Sequence, residues 1–195
     1  MRILAALCWL LAPALAHAET WPFRTAVLAG PPRSGRSLIA RWFAGQGADE
    51  GGGEAIDDAH RLPEAELFHR WNRAQESGRP LLIIDGGVPG AWRIALPDLA
   101  SRLGAALHLT IGDPDDAMMG ELLAVHAERR GFALDAAAAA YLVPRCERSH
   151  TAAEQLVAAI DRLSLERRAP PTLSVWRDAL HEAGGGPGEV EPRLL

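Results

Sequence analysis

Apolar residues follow two rhythms along this chain, and the rhythm changes near Asp113. In the first part, short unbroken apolar runs stand out: Thr25-Ala26-Val27-Leu28-Ala29 and Pro80-Leu81-Leu82-Ile83-Ile84-Asp85, the second bounded by Gly78 and by Gly86-Gly87. Runs of this length between turn residues predict strands covered on both faces. Glu54 to Asp58 and Ala106 to Ile111 are further strand candidates. Between them the spacing lengthens to that of helices: Ser37 to Phe43, Leu62 to Gln75 with Leu67, Phe68 and Trp71 and with Pro63 in the first turn, and Asp98 to Leu103. Strands alternating with helices predict a parallel α/β sheet.

After Asp113 only the helical rhythm remains. Pro114-Asp115-Asp116 opens a run with Met118, Met119, Leu122, Leu123 and Val125, acidic at its start as helices prefer, and Gly131 closes it. Three more helical stretches follow: Asp135 to Val143, Thr151 to Leu165, and Leu173 to Ala183 after Pro170-Pro171. This half reads as all helix, and residues 184–195 read as a disordered glycine- and proline-rich tail.

Two segments fit neither rhythm. Gly45 to Gly53 is a flexible glycine-rich connector. Met1 to Ala18 has the three-part form of a secretory signal: Arg2, the apolar run Ile3 to Leu15, and the A-x-A pattern Ala16-His17-Ala18. That run is short for a bilayer span. The competing account is an apolar helix packed on the core of a cytoplasmic protein, or a start region outside the ancestral domain, and the rest of the chain argues against export.

Composition narrows the function classes. The 195 residues, 48% hydrophobic and 23% charged, supply one full core or a core plus a small helical appendage. Net charge is -5 with the positive residues scattered, so strong direct nucleic-acid binding through a broad basic face is not expected. Cys8 and Cys146 give no disulfide framework, and Cys146 reads as a small buried apolar residue.

The candidate chemistry follows the first strand. Gly30-Pro31-Pro32-Arg33-Ser34-Gly35-Arg36-Ser37 fits the P-loop pattern GxxxxGK[ST] at every fixed position except the lysine, which is Arg36. Between Gly30 and Ser37, a stretch that includes Pro31, Arg33, Ser34 and Gly35, loop amides can point at phosphate oxygens at a helix start, and the Ser37 hydroxyl suits Mg²⁺. Arg36 keeps the positive charge, but a planar guanidinium is bulkier than an ammonium and places it differently. A plain glycine turn is the alternative. His60 and His69 fit no zinc spacing.

Taken in order, the P-loop, an acidic strand end, a third strand ending in a polar residue, Leu96-Pro97-Asp98-Leu99-Ala100-Ser101-Arg102-Leu103 and a helical end resemble the AAA+ domain of the replication initiator DnaA and, more closely, its regulatory relative Hda. The resemblance runs from about Trp21 to Ala183. Its other specific parts are Ile111-Gly112-Asp113-Pro114-Asp115-Asp116-Ala117, Arg145-Cys146-Glu147-Arg148-Ser149 and Ala158-Ala159-Ile160-Asp161-Arg162-Leu163. It implies a reduced P-loop AAA+ sheet domain over residues 21–111, a small all-helical lid over 112–183, and a non-family or signal-like start over 1–20.

The resemblance also assigns roles. Asp57 would hold Mg²⁺ through water and Asp58 would orient the attacking water at the Walker B position. Arg102 falls at the arginine finger, which reaches a nucleotide on a neighbouring subunit. Arg148 is a candidate for a lid arginine facing the nucleotide, ADP or ATP, with an exposed arginine at a helix junction as the alternative. Departures weaken hydrolysis: Asp85 stands at sensor I, where a carboxylate repels a γ-phosphate. Glu154 stands near the sensor II arginine position, and the short interval from Ser37 to Asp57 omits a strand and a helix. No sliding-clamp motif is seen at the start. The implied partner is a DnaA-like initiator, with a homo-oligomer left open. The implied function is cytoplasmic regulation of replication initiation by promoting hydrolysis of initiator-bound ATP. The alternatives are a non-hydrolysing interaction module of the same fold and an exported protein with a vestigial P-loop.

Overall fold

The computed structural model describes residues 11, 13–45, 53–86 and 92–184. Most of the signal-like segment, most of the glycine connector and the tail from residue 185 lie outside the described residues. The chain folds as two compact units, the first ending at Gly112 and the second beginning at Asp113.

The first unit is a four-stranded parallel sheet in the order β2-β3-β1-β4, with β1 Thr25–Ala29, β2 Glu54–Ile56, β3 Leu81–Ile84 and β4 Leu107–Thr110. Register pairs Leu28 with Ile84 on one side of β1 and Val27 with His108 on the other. The two unbroken apolar runs became the inner strands because only there are both faces covered. The edge strand β4 instead alternates half-buried and exposed residues.

The helices of this unit are α1 Arg36–Gly45, α2 Glu64–Ser77 and α3 Pro97–Gly104. Val27, Leu81 and Ile83 face Leu67, Trp71 and Ala74 of α2 and Leu99 and Leu103 of α3. Alternation along the strands leaves Ala26, Leu28, Leu82 and Ile84 on the other face. There α1 contributes Ile39, Ala40 and Phe43, and Trp21 stacks on Phe43 at 5.4 Å. Residues 13–16 are helical, Leu11 and Leu15 are buried, and Trp21 Nε1 donates to the Ala14 carbonyl at 2.7 Å. The described end of the signal-like segment thus packs with the sheet unit. Between α1 and β2 lie only residues 46–53. That is fewer than the dozen or so residues a helix-bearing crossover needs, so the strand and helix missing from the sequence are missing from the sheet among the described residues.

The second unit contains α4 Asp116–Arg129, α5 Ala136–Leu142, α6 His150–Arg167 and α7 Leu173–Glu182. Each of the first three has a side-chain cap: Asp115, Asp135 and Ser149 accept from Met118, Ala138 and Ala152 at 2.8, 2.7 and 3.0 Å. Met119, Leu123, Leu142, Leu156, Ile160 and Val175 form its core. Cys146 lies beside this core, and burial with the neighbouring Glu147 raises its thiol to about 11, so it stays protonated at neutral pH. Among the described residues no helix is long and apolar enough to cross a membrane.

Candidate phosphate-binding site

The site begins where β1 stops. Ile111 N donates to Ala29 O at 2.9 Å, bringing the chain after β4 against the first loop residue. A Cβ on Gly30 would stand 2.9 Å from Ile111 Cβ and 3.1 Å from Ser34 Oγ, so only glycine fits. Arg33 at φ 64° and Gly35 at φ 85° then turn the chain back into α1. Such left-handed residues curve successive amides toward one concavity. Leu38 N and Ile39 N donate to Gly35 O at 2.9 and 3.1 Å, closing the first turn of α1 directly behind the loop. Ser34 is fully buried, and its Oγ makes no hydrogen bond among the described residues. Pro31 is half-buried and Ser37 is exposed at the helix start. This half of the site fits a phosphate.

The cationic half is arranged differently. Arg36 Nη1 donates to the Asp85 carbonyl and Nη2 to the Gly86 carbonyl at 3.4 Å, at the end of the neighbouring strand β3. Asp85 is 4% exposed, and its amide donates to Leu28 O at 3.0 Å. A Cβ on Gly86 would collide with Asp58 Oδ1 and lie 2.6 Å from His60 Cε1. The structure thus gathers Arg36, Asp85, Asp58 and His60 at the strand ends. Asp58 adopts φ 49°, and its amide donates to Asp57 Oδ1 at 3.0 Å; both acids are exposed. Because β3 separates β2 from β1, Asp57 starts about 10 Å from the strand that carries the loop. The buried Asp85 carboxylate, with the Arg36 guanidinium already bonded to carbonyls, does not suit the hydrolysis of a γ-phosphate.

Arg102 lies elsewhere in this unit. Its guanidinium sits 4.6 Å from the Phe68 ring centroid and 4.4 Å from that of Trp71, and donates to Asn72 Oδ1 at 2.6 Å. Phe68 and Trp71 were legible as one face of α2, but a partner 30 residues away left no local signal. His60 is half-buried, and its ring packs against Gly86. Arg148 belongs to the second unit, where it pairs with Asp116 at 2.7 Å with both side chains well exposed. Glu154 also lies there, in α6, and its charge partly offsets the lowering of the His126 pKa by burial.

The fold matches solved AAA+ proteins. The Thermotoga maritima RuvB Holliday junction branch migration motor aligns over 91% of this chain and 68% of its own, with TM-score 0.62 and 17% identity. Domain III of the Thermotoga maritima replication initiation protein DnaA aligns over 90% and 77%, with TM-score 0.56 and 14% identity. The first unit and the helices after it thus have an AAA+ fold, a parallel α/β sheet followed by a helical lid.

The second unit is more specific. Residues 116–173 match the family model described as Hda, lid domain. An uncharacterized protein of Haemophilus influenzae is 33% identical over 120 residues, which is 60% of this chain and 52% of that protein. The chain therefore spans about half the length of that curated relative.

Proposed function

We propose that this protein is an Hda-like cytoplasmic regulator of replication initiation, which contacts a DnaA-like initiator and promotes hydrolysis of the initiator's ATP. The observation that carries this reading is the Hda lid over residues 116–173, joined to a sheet unit that keeps the P-loop. Any ADP or ATP bound with Mg²⁺ at Gly30 to Ser37 is not turned over, because Asp85 and the bonded Arg36 disfavour hydrolysis there. Arg102 supplies the working charge in trans. To do so it leaves Phe68, Trp71 and Asn72. Each cation–π contact at such a half-exposed place is worth about 0.5–1 kcal/mol, and a hydrogen bond to a charged group about 1.5–3. A terminal phosphate offers the guanidinium charged acceptors in exchange, so the transfer is energetically open.

The test is the rate at which the initiator of the same organism hydrolyses its bound ATP, with and without the full chain. Addition should raise the rate; Arg102→Ala should cut the stimulation at least about tenfold while leaving complex formation intact, and Arg102→Lys should restore part of it. Binding with stimulation indifferent to Arg102 would remove this residue's role. Absence of binding would remove the whole reading.

A further inference from the structure

Arg36 is the one departure inside an otherwise intact phosphate loop, and its side chain bonds another strand. Its two terminal nitrogens reach two consecutive main-chain carbonyls, of Asp85 and Gly86. A guanidinium presents donors in a fixed fork that suits two such acceptors, whereas an ammonium is a single point charge. These acceptors are held in place. The Asp85 amide is bonded to Leu28 O, Leu28 pairs with Ile84, and Gly86 packs against Asp58 and His60. Asp85 is itself buried, and a buried carboxylate needs positive charge nearby.

We propose that Arg36 is a built-in tie that fastens the start of α1 to the end of β3 and takes over the bridging role a bound nucleotide would otherwise play. The phosphate loop is held in shape without ligand, at the expense of the cation a phosphate would need. A nucleotide entering the cradle must pull the guanidinium from both carbonyls, so binding is weak as long as residue 36 is arginine. This inference concerns the chain's own loop and does not depend on which initiator the protein contacts.

The tie predicts opposite signs for stability and affinity. Full-length wild type, Arg36→Lys and Arg36→Gln are compared by thermal unfolding and by calorimetric titration with Mg²⁺-ADP and with pyrophosphate. Both variants should melt several degrees lower than wild type without ligand. Arg36→Lys should bind Mg²⁺-ADP at least tenfold tighter than wild type, and Arg36→Gln should gain no affinity. Unchanged melting in both variants would overturn the tie, as would wild-type affinity equal to that of Arg36→Lys. Hydrogen exchange on wild type gives a check free of folding defects: residues 30–37 and 81–86 should be protected without ligand and little changed by millimolar Mg²⁺-ADP. Protection that appears only with nucleotide would overturn the proposal.

Discussion

In the helical unit, the N-termini of α4, α5 and α6 are held by Asp115, Asp135 and Ser149, each bonding an amide three residues on. In the sheet unit, the corresponding work is done from a distance. Glu64 reaches across 31 and 32 residues to accept from Ala95 N and Leu96 N at 2.8 and 2.7 Å, fixing the entry to α3. Arg24 donates to Gly78 O at the end of α2, Arg102 stacks on α2, and Arg36 ties α1 to β3. The lid's helix starts are thus specified by their own neighbours in sequence, whereas the sheet unit is specified by side chains that become neighbours only on folding. The first kind of structure survives substitution piecemeal; the second concentrates its vulnerability in a few long-range contacts.

The largest predicted effect tests whether the chain start belongs to the sheet unit. Removing residues 1–18 takes Leu11, Leu15 and the Ala14 acceptor of Trp21 from the fold. At about 1.5–3 kcal/mol per buried leucine, the loss is about 4 kcal/mol, a large share of a domain's usual stability. A chain starting at Glu19 should lose most of its denaturant resistance in the sheet unit while its lid stays helical by circular dichroism. Retention of full resistance would mean that the start is dispensable and would revive the signal reading.

Glu64→Ala is the next in size. It removes the carboxylate holding two amides, and about 2 kcal/mol of sheet-unit stability should go with it, visible as a lower urea midpoint. Glu64→Gln should keep part. A smaller effect, about 1 kcal/mol each, is expected for Asp135→Ala and Ser149→Ala in the lid. These should speed amide exchange at the starts of α5 and α6 without touching the sheet unit; equal losses in both units would erase the contrast drawn above.

The smallest effect is a pH dependence confined to the lid. Burial, reinforced by Arg129, Arg130 and His150 and opposed by Glu154, holds His126 below its ordinary value of 6.5. The fold favours the neutral ring, so unfolding takes up a proton between the lowered pKa and that ordinary value. This contribution is complete above about pH 6.5 and is lost as pH falls through the lowered pKa. Lid melting should drop modestly between about pH 7.5 and about pH 5.5, and His126→Asn should flatten that drop. A slope unaltered by the substitution would move the effect to other groups.

Sequence periodicity located every strand and helix named above to within a few residues, because apolar spacing and turn chemistry act locally. It also found the P-loop and Asp85, since β1 and β3 both end where an apolar run meets glycine or a carboxylate. The absent strand and helix followed from chain length alone. What periodicity could not carry was the partner of each charged side chain. Arg102 read as a residue that reaches outward, and in the fold it lies between Phe68 and Trp71. Arg36 read as a stand-in for lysine, and in the fold it bonds the end of β3. The apolar start read as a signal, as a packed helix or as a start outside the family's domain, and in the fold Leu11 and Leu15 are buried. The sequence by itself determined which segments are strands, helices and a glycine loop, because those choices depend on neighbours a few residues apart. Only the tertiary structure decided where the arginines spend their charge, because a guanidinium on a long stem takes its acceptors from whatever parallel pairing of distant strands brings within reach.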